Sequence, residues 1–128
     1  MKKIQSPSKG KSKGTKSSVG AHLLRHARAF LSRIQSGANL EEASLHEGIK
    51  ISREIKSFFK SCKERRKKPE AELWQLWVAN GKILISFKRF ALEHNLSWKE
   101  SAEKWFPHLS KRSRRNSMFA ARTFDFVD

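Results

Sequence analysis

The chain has 128 residues, which is room for one domain with a modest core and a tail. Lysine and arginine number 28 against 12 acidic residues, and the net charge of +16 attracts nucleic acid or acidic membrane surfaces over long range without indicating a fold. The single cysteine, Cys62, excludes an internal disulfide and a zinc site built on paired cysteines, and it is compatible with a reducing cytoplasm.

A basic tail is predicted at the start of the chain. Residues 1–19 hold six lysines among Ser, Gly, Pro and Thr, with no acid and without the apolar block of a secretory signal. Such a segment cannot bury enough apolar surface to offset its chain entropy, so we expect it to be disordered. The tail would contact phosphates loosely, or it would serve only solubility. No apolar run in the sequence approaches the ~20 residues that span a bilayer.

Two amphipathic helices are predicted next. Apolar residues at spacings of three and four define the first over residues 20–36, and Gly37 would end it. The second helix, over residues 44–66, begins with the capping-box motif SLHE. A start at Asn39 is the alternative, and Gly48 would then be a weak point inside this helix.

The third helix is predicted over residues 70–94. Acidic residues follow Pro69, which suits the first turn of a helix. The segment is apolar almost all round, as a central and mostly buried helix is. The dipeptide Asn80-Gly81 is a strong turn signal, so a break there is an open alternative, with ILISF at 83–87 as a short strand.

Two shorter helices complete the chain. The first, over residues 97–106, begins with the capping-box motif SWKE, and the second, over 111–123, would be capped by Ser110. Helices joined by short connections predict a small all-α domain. We expect a single helical domain over residues 20–128, with a helix-turn-helix region at about 83–123.

A helix, a turn and a second helix are indicated within residues 87–106. The positions that carry this pattern are Phe87, Phe90, Ala91, Asn95, Leu96 and Ser97. They resemble the helix-turn-helix segment of bacterial repressors, with Asn95 in place of the turn glycine. The resemblance implies that helix 97–106 lies in the major groove of DNA. The candidate contacts are then Ser97, Trp98, Lys99 and Ser101. The sequence departs from the pattern at Ser101, where a branched apolar residue is expected, and an ordinary helical hairpin is the alternative.

The last two helices offer a second placement of a helix-turn-helix, with 111–123 in the groove. Five cations fall on one arc of about 160° of that helix: Lys111, Arg112, Arg114, Arg115 and Arg122. Met118 and Phe119 lie in its last turns, so the N-terminal half is predicted to project and the C-terminal half to anchor. A tryptophan-led helix before a Ser-x-Arg helix resembles a domain of unknown function of phage and plasmid-like proteins. A solvated basic face is the alternative.

A second basic cluster, KERRKK, occupies residues 63–68. Its candidate phosphate contacts, beside the groove, are Arg65, Arg66, Lys67 and Lys68. In a eukaryotic protein the cluster matches the composition of a nuclear localisation signal. A solubilising helix end, favoured by the helix dipole, fits it equally well.

Signatures of metal binding and catalysis are absent from the sequence. His22 and His26 are four residues apart, but no acid or cysteine lies close in sequence to complete a metal site. There is no Gly-rich phosphate loop, no HExxH motif and no nucleophile elbow, although scattered acids could still meet in space. We therefore expect a protein that is not an enzyme and that has neither cofactor nor metal.

Together, these features predict a small helical DNA-binding protein, acting as a transcriptional regulator or as an accessory factor of a plasmid or mobile element. The alternatives are an RNA-binding or ribosome-associated protein and a helical protein–protein adaptor. We expect DNA, or RNA, as the partner and no membrane. The expected location is the cytoplasm, at the nucleoid, or the nucleus in a eukaryote. Helix 44–66 offers a long apolar side, so a homodimer is an open alternative.

Overall fold

Five α-helices make up the computed structural model, which describes residues 11–35, 40–64 and 71–125, with side chains over 19–34, 40–63 and 74–125. The helices are α1 (Lys11–Gln35), α2 (Glu42–Glu64), α3 (Ala71–Glu93), α4 (Trp98–Trp105) and α5 (Lys111–Thr123). The described ranges contain no strand, which confirms the predicted all-α class. None of these helices is long and apolar enough to cross a membrane.

Helix α3 lies at the centre, where it packs against each of the other four helices. Its side chains Leu76, Ile83, Leu84 and Phe87 are fully buried. Around it pack buried residues of the other elements, namely Leu24, Ala27, Phe30, Leu31, Ile51, Ile55, Phe106, Leu109 and Met118. A helix with neighbours on most sides must be apolar on most sides, which is the pattern predicted for this segment.

The predicted alternative of a break at Asn80-Gly81 is wrong, as is the short strand at 83–87, because α3 continues through both positions. The turn signal of this dipeptide is local, and here tertiary contacts override it. Asn80 is fully buried and hydrogen-bonded to neighbouring helices, and Gly81 lies where another backbone approaches.

Helix α2 begins at Glu42, between the predicted start at residue 44 and the alternative start at Asn39. The amide of Leu45 donates to the carbonyl oxygen of Glu41 at 2.9 Å, so Ser44 already lies inside the helix and forms no capping box. Gly48 is buried rather than a weak point, since a Cβ there would lie 2.6 Å from Cζ of Phe87. Its small size lets α2 lie against α3.

Glu47, the expected second half of that capping box, instead joins α1 to α2. Its Oε2 accepts from Arg33 Nη2 at 2.7 Å and lies 3.1 Å from His26 Nε2. Burial raises the pKa of the Glu47 carboxyl, but the hydrogen bonds from Arg33 and His26 outweigh burial, and the pKa is lowered overall. The carboxylate therefore stays ionised between two α1 groups.

Helix α1 extends further toward the N-terminus than the sequence predicts. It begins at Lys11 rather than at residue 20, so residues 11–19 are helical instead of disordered. Extending a helix costs much less than starting one, and the buried contacts of α1 supply the nucleus. The remainder of the predicted tail, residues 1–10, lies outside the described residues, as do Gly37 and Pro69.

The turn between α3 and α4 follows the prediction in its backbone. Asn95 has a φ of 59°, the left-handed conformation that asparagine tolerates, and Ala91 is fully buried. Leu96, which matches the apolar position after the turn in the repressor pattern, is 44% exposed and does not lie in the core. The turn places α4 against α3, with Phe106 buried at its end.

Candidate nucleic-acid interface

Helix α5 begins and ends where the sequence predicts. The Ser110 hydroxyl accepts from the amide of Ser113 at 3.0 Å, and Ser110 is in the extended conformation of an N-cap. This bond satisfies one of the amides that a helix start leaves without a partner. At the other end, the amide of Phe124 donates to the carbonyl oxygen of Ala120 at 2.8 Å.

One side of α5 is pressed against α3 at Gly81. A Cβ at Gly81 would overlap the carbonyl oxygen of Ser117 and would lie 2.8 Å from the Cβ of Ala121. The two helix backbones therefore cross in direct contact, which only glycine permits at this position. The Ser117 hydroxyl donates to the carbonyl oxygen of Trp77 at 2.9 Å, which fixes the crossing point.

A chain of buried hydrogen bonds extends this attachment into the core. Asn80 Nδ2 donates to Ser117 Oγ at 3.1 Å, and the Ser52 hydroxyl donates to Asn80 Oδ1 at 2.6 Å. His108 Nε2 lies 2.8 Å from Ser52 Oγ. Because the single hydroxyl proton of Ser52 is committed to Asn80, the imidazole must donate to Ser52 through Nε2–H. The chain links α2, α3, α5 and the connection that precedes α5.

His108 is neutral in this chain of bonds. Burial lowers the pKa of His108 to about 4, and the positive charges of Arg53 and Lys56 add to the effect. With the proton on Nε2, the buried Nδ1 is a bare acceptor, and it has no hydrogen-bond partner among the described residues. Ser52 is fully buried and already donates to Asn80, so this Ser–His contact is structural and not that of a serine nucleophile.

The opposite side of α5 faces outward and is the candidate interface. We use the name α5 outer face for Arg112, Arg115, Asn116, Phe119 and Arg122, all of which are exposed. They recur at spacings of three and four residues, so they share one side of the helix. Phe119 is 65% exposed, so the prediction that it anchors the helix is wrong, whereas Met118 is buried at 6% exposure.

The predicted basic residues of α5 do not all lie on this outer face. Lys111 is exposed in the first turn, beside the face. Arg114 is half-buried, and its Nη1 donates to the carbonyl oxygen of Leu109 at 3.0 Å. Arg114 therefore holds the connection before α5, whereas Arg112 and Arg115 project as predicted.

The charge of α5 is unbalanced along the whole helix. It contains five cations and no acid, and no acidic residue stands in its first turn. Lys111 and Arg112 lie at the positive end of the helix dipole, where cations are unfavourable and acids are usual. The nearest acid along the chain, Asp125, lies 3.6 Å from Lys82 of α3. The outer face therefore keeps a concentrated positive potential that an anion would stabilise.

A shallow groove of about 450 Å³ adjoins the C-terminal end of this face. Its lining residues are Ile85, Lys88, Arg89, Leu92, Glu93 and Arg122. Lys88 and Arg89 of α3 thus add two cations beside Arg122 of α5, against the single acid Glu93. The basic surface consequently continues from α5 onto the exposed end of α3.

Helix α4, the competing candidate for the groove, offers less to a ligand. The Ser97 hydroxyl is occupied as the N-cap, accepting from the amide of Glu100 at 3.3 Å. Ser101 is buried at 8% exposure, and Trp98 packs against the core. Lys99 is exposed, but α4 carries as many acids as cations. Its predicted contacts are thus not brought together on one outward face.

The remaining predicted contacts follow α2 in the sequence. Lys63 is exposed in the last turn, and Arg65, Arg66, Lys67 and Lys68 lie outside the described residues. The histidine pair of α1 is engaged elsewhere: His22 Nδ1 lies 2.9 Å from Arg25 Nη2, and His26 contacts Glu47. Among the described residues, no three His, Cys, Asp or Glu side chains converge as metal ligands.

Sequence reasoning missed the exposed positions of Asn116 and Phe119 beside the arginines and the contact of His108 with Ser52. The first two share the spacing of Arg112 and Arg115, and that periodicity could have placed them on the outer face. His108 gave no local signal, because its partner Ser52 is remote in sequence. Comparisons with protein-family models, with curated proteins and with solved structures found no match for this chain.

Proposed function

We propose that this protein binds duplex DNA through the α5 outer face, which lies in the major groove. The observation that carries the proposal is the acid-free row of Arg112, Arg115 and Arg122 on a helix whose other side is fixed to the core. A recognition helix is held by the rest of the fold and presents side chains to base edges and phosphates, and arginine is suited to both.

The position of α5 in the fold supports this choice of helix. The helix crosses α3 through Gly81 and Ser117, small residues that leave the long side chains on the far side. The arginines of the outer face can bind guanine bidentately or clamp phosphates, as their planar guanidinium groups permit. Lys88 and Arg89 would add phosphate contacts beside the helix.

The rest of the charge distribution supports a polyanionic partner. Helix α1 carries six cations and no acid between Lys11 and Gln35. The basic segment at 65–68 adds further charge in the sequence. Such charge attracts DNA phosphates independently of sequence and so adds affinity to the contacts that α5 would make in the groove. A small regulator of transcription, or an accessory factor of a mobile element, is the role that we infer for such a protein.

The test is the affinity for a random-sequence DNA duplex, measured by fluorescence anisotropy at increasing salt. We expect affinity to fall steeply with salt, and the slope of log affinity against log salt to fall by about 0.9 for each phosphate contact removed. The variant Arg112→Ala/Arg115→Ala/Arg122→Ala should therefore lose both affinity and slope.

A matched control separates the α5 outer face from net charge. The variant Lys50→Ala/Arg53→Ala/Lys60→Ala removes three exposed cations from α2, outside the KERRKK cluster, and leaves α5 intact. It should stay close to the wild-type affinity. Equal losses in both variants would mean that charge alone drives binding, and tighter binding of a structured RNA at the same salt would favour the RNA-binding alternative.

A further inference from the structure

The α5 outer face contains two residues that a purely electrostatic interface does not need. Asn116 is exposed, and none of its side-chain atoms hydrogen-bonds within the described parts of the chain. Phe119 is the most exposed large apolar residue that the structure describes. Both lie among arginines, where a polyanion would bring its surface into contact with them.

The spacing of the outer face suits contact with base edges. Arg112, Arg115, Asn116 and Phe119 stand at i, i+3, i+4 and i+7 from the second residue of α5 onward. A helix in the major groove contacts bases with side chains at these spacings, and its N-terminal turns contribute most of them. Arg122, one turn further on, extends the same side toward the backbone phosphates.

The chemistry of these side chains matches the groups that an A·T pair displays in the major groove. An asparagine amide bonds bidentately to adenine N6 and N7, and an apolar ring packs on the 5-methyl group of thymine. Asn116 and Phe119 are one turn apart on the same side, so they can reach the same or adjacent base pairs. The two arginines that flank them can bind guanine or phosphate.

We propose that Asn116 and Phe119 give the protein a preference for A·T base pairs, with Phe119 recognising the thymine methyl group. This proposal rests on the proposed function, because it concerns the specificity of the same face. It also selects DNA over RNA, because uracil lacks the methyl group that Phe119 contacts. No other large aromatic side chain in the described residues is as exposed.

The probes are three duplexes of equal length: alternating dA–dT, alternating dA–dU and alternating dG–dC. The dT and dU duplexes differ only in the 5-methyl groups. We expect wild-type protein to bind dA–dT tighter than dA–dU by about three- to fivefold for each contacted methyl group, the value of burying one such group. Binding to dG–dC should be weaker still.

Two variants assign the preference to residues. Phe119→Ala should bind dA–dT and dA–dU equally, while Phe124→Ala, the matched control, should keep the difference. Phe124 is also exposed, at 45%, but it packs edge-to-face on Trp74 with ring centroids 5.2 Å apart. Asn116→Ala should lose about tenfold of the preference for dA–dT over dG–dC, and Asn116→Gln should retain part of it, because glutamine can also bond adenine.

The possible outcomes separate this proposal from the proposed function. Wild-type protein that binds no duplex refutes the proposed function itself. Wild-type protein that binds all three duplexes equally leaves DNA binding intact and overturns the A·T preference. A dT-over-dU difference that survives in Phe119→Ala also overturns the role of Phe119. Circular dichroism of each variant shows whether it is folded. We expect the variants of Asn116 and Phe119 to fold, because both side chains are exposed.

Discussion

Replacing Gly81 by alanine should push α5 away from α3, and this tests the packing of the two helices directly. The added Cβ would overlap the carbonyl oxygen of Ser117 and would lie 2.6 Å from the Ser117 carbonyl carbon. These are backbone atoms, which cannot rotate out of the way as a side chain can. The helix must therefore move away by on the order of 1 Å to restore ordinary contact distances.

The size of the effect follows from three contributions. Overpacking of this kind costs about 1–3 kcal/mol. Movement of α5 also weakens the Ser117 bonds to Trp77 and Asn80, each contributing about 1 kcal/mol. Alanine regains up to about 1 kcal/mol through its better helix propensity. We expect Gly81→Ala to lower the free energy of unfolding by about 2–4 kcal/mol.

The assay is chemical denaturation followed by far-ultraviolet circular dichroism. Gly48→Ala is the graded comparison, because the atoms nearest its Cβ are ring atoms of Phe87, at 2.6 Å, and Phe30, at 3.1 Å, rather than backbone atoms. An aromatic tip can shift, so Gly48→Ala should cost less than Gly81→Ala. A Gly81→Ala protein as stable as the wild type, or more stable, would refute the direct backbone crossing.

Three further predictions concern the buried chain and the α3–α4 turn. Ser52→Ala should lower the free energy of unfolding by about 1–3 kcal/mol, because it removes the partner of His108 Nε2 and of Asn80 Oδ1. Equal stability in denaturation would contradict the chain of bonds. His108 titrates at about 4 when folded and at 6.5 when unfolded, so the unfolded state binds more protons between these values and stability falls as pH drops from 6.5 toward 4. Because His108 is partly exposed, this loss is on the order of 1–2 kcal/mol. The variant His108→Gln should lose less stability than the wild type between pH 6.5 and 4, and an equal loss in both proteins would contradict the assignment to His108. Asn95→Gly should stabilise by up to about 1 kcal/mol and Asn95→Ala should destabilise, given the φ of 59°, and the reverse order of thermal midpoints would contradict the turn geometry.

The elements set by local chemistry could be predicted from the sequence. Ser97 and Ser110 cap their helices as expected, because a capping bond needs only residues three apart. The central position of α3 could be predicted because its sequence is apolar on almost every side, which leaves only a narrow polar stripe to face solvent. Asn95 in the left-handed conformation followed from the intrinsic tolerance of asparagine.

The elements set by distant contacts could not be predicted in this way. Asn80-Gly81 signals a turn by itself, and only its burial against Ser117 and Ser52 keeps it helical. The sequence alone did not determine which side of α5 packs against α3. Ser117, being small, allowed the closest approach, and this left Phe119 among the arginines instead of in the core. The sequence therefore placed Arg112 and Arg115 on an exposed side of α5, but it did not place Phe119 beside them.

The proposed DNA contact can be located on the protein by nuclear magnetic resonance. Isotope-labelled protein would be titrated with an A·T-rich duplex, and the amide and arginine side-chain signals followed residue by residue. We expect the largest shifts at Arg112, Arg115, Asn116, Phe119 and Arg122, with α2 nearly unchanged. Shifts confined to other helices, or no shift on α5 at saturating duplex, would contradict the proposal that the α5 outer face binds DNA.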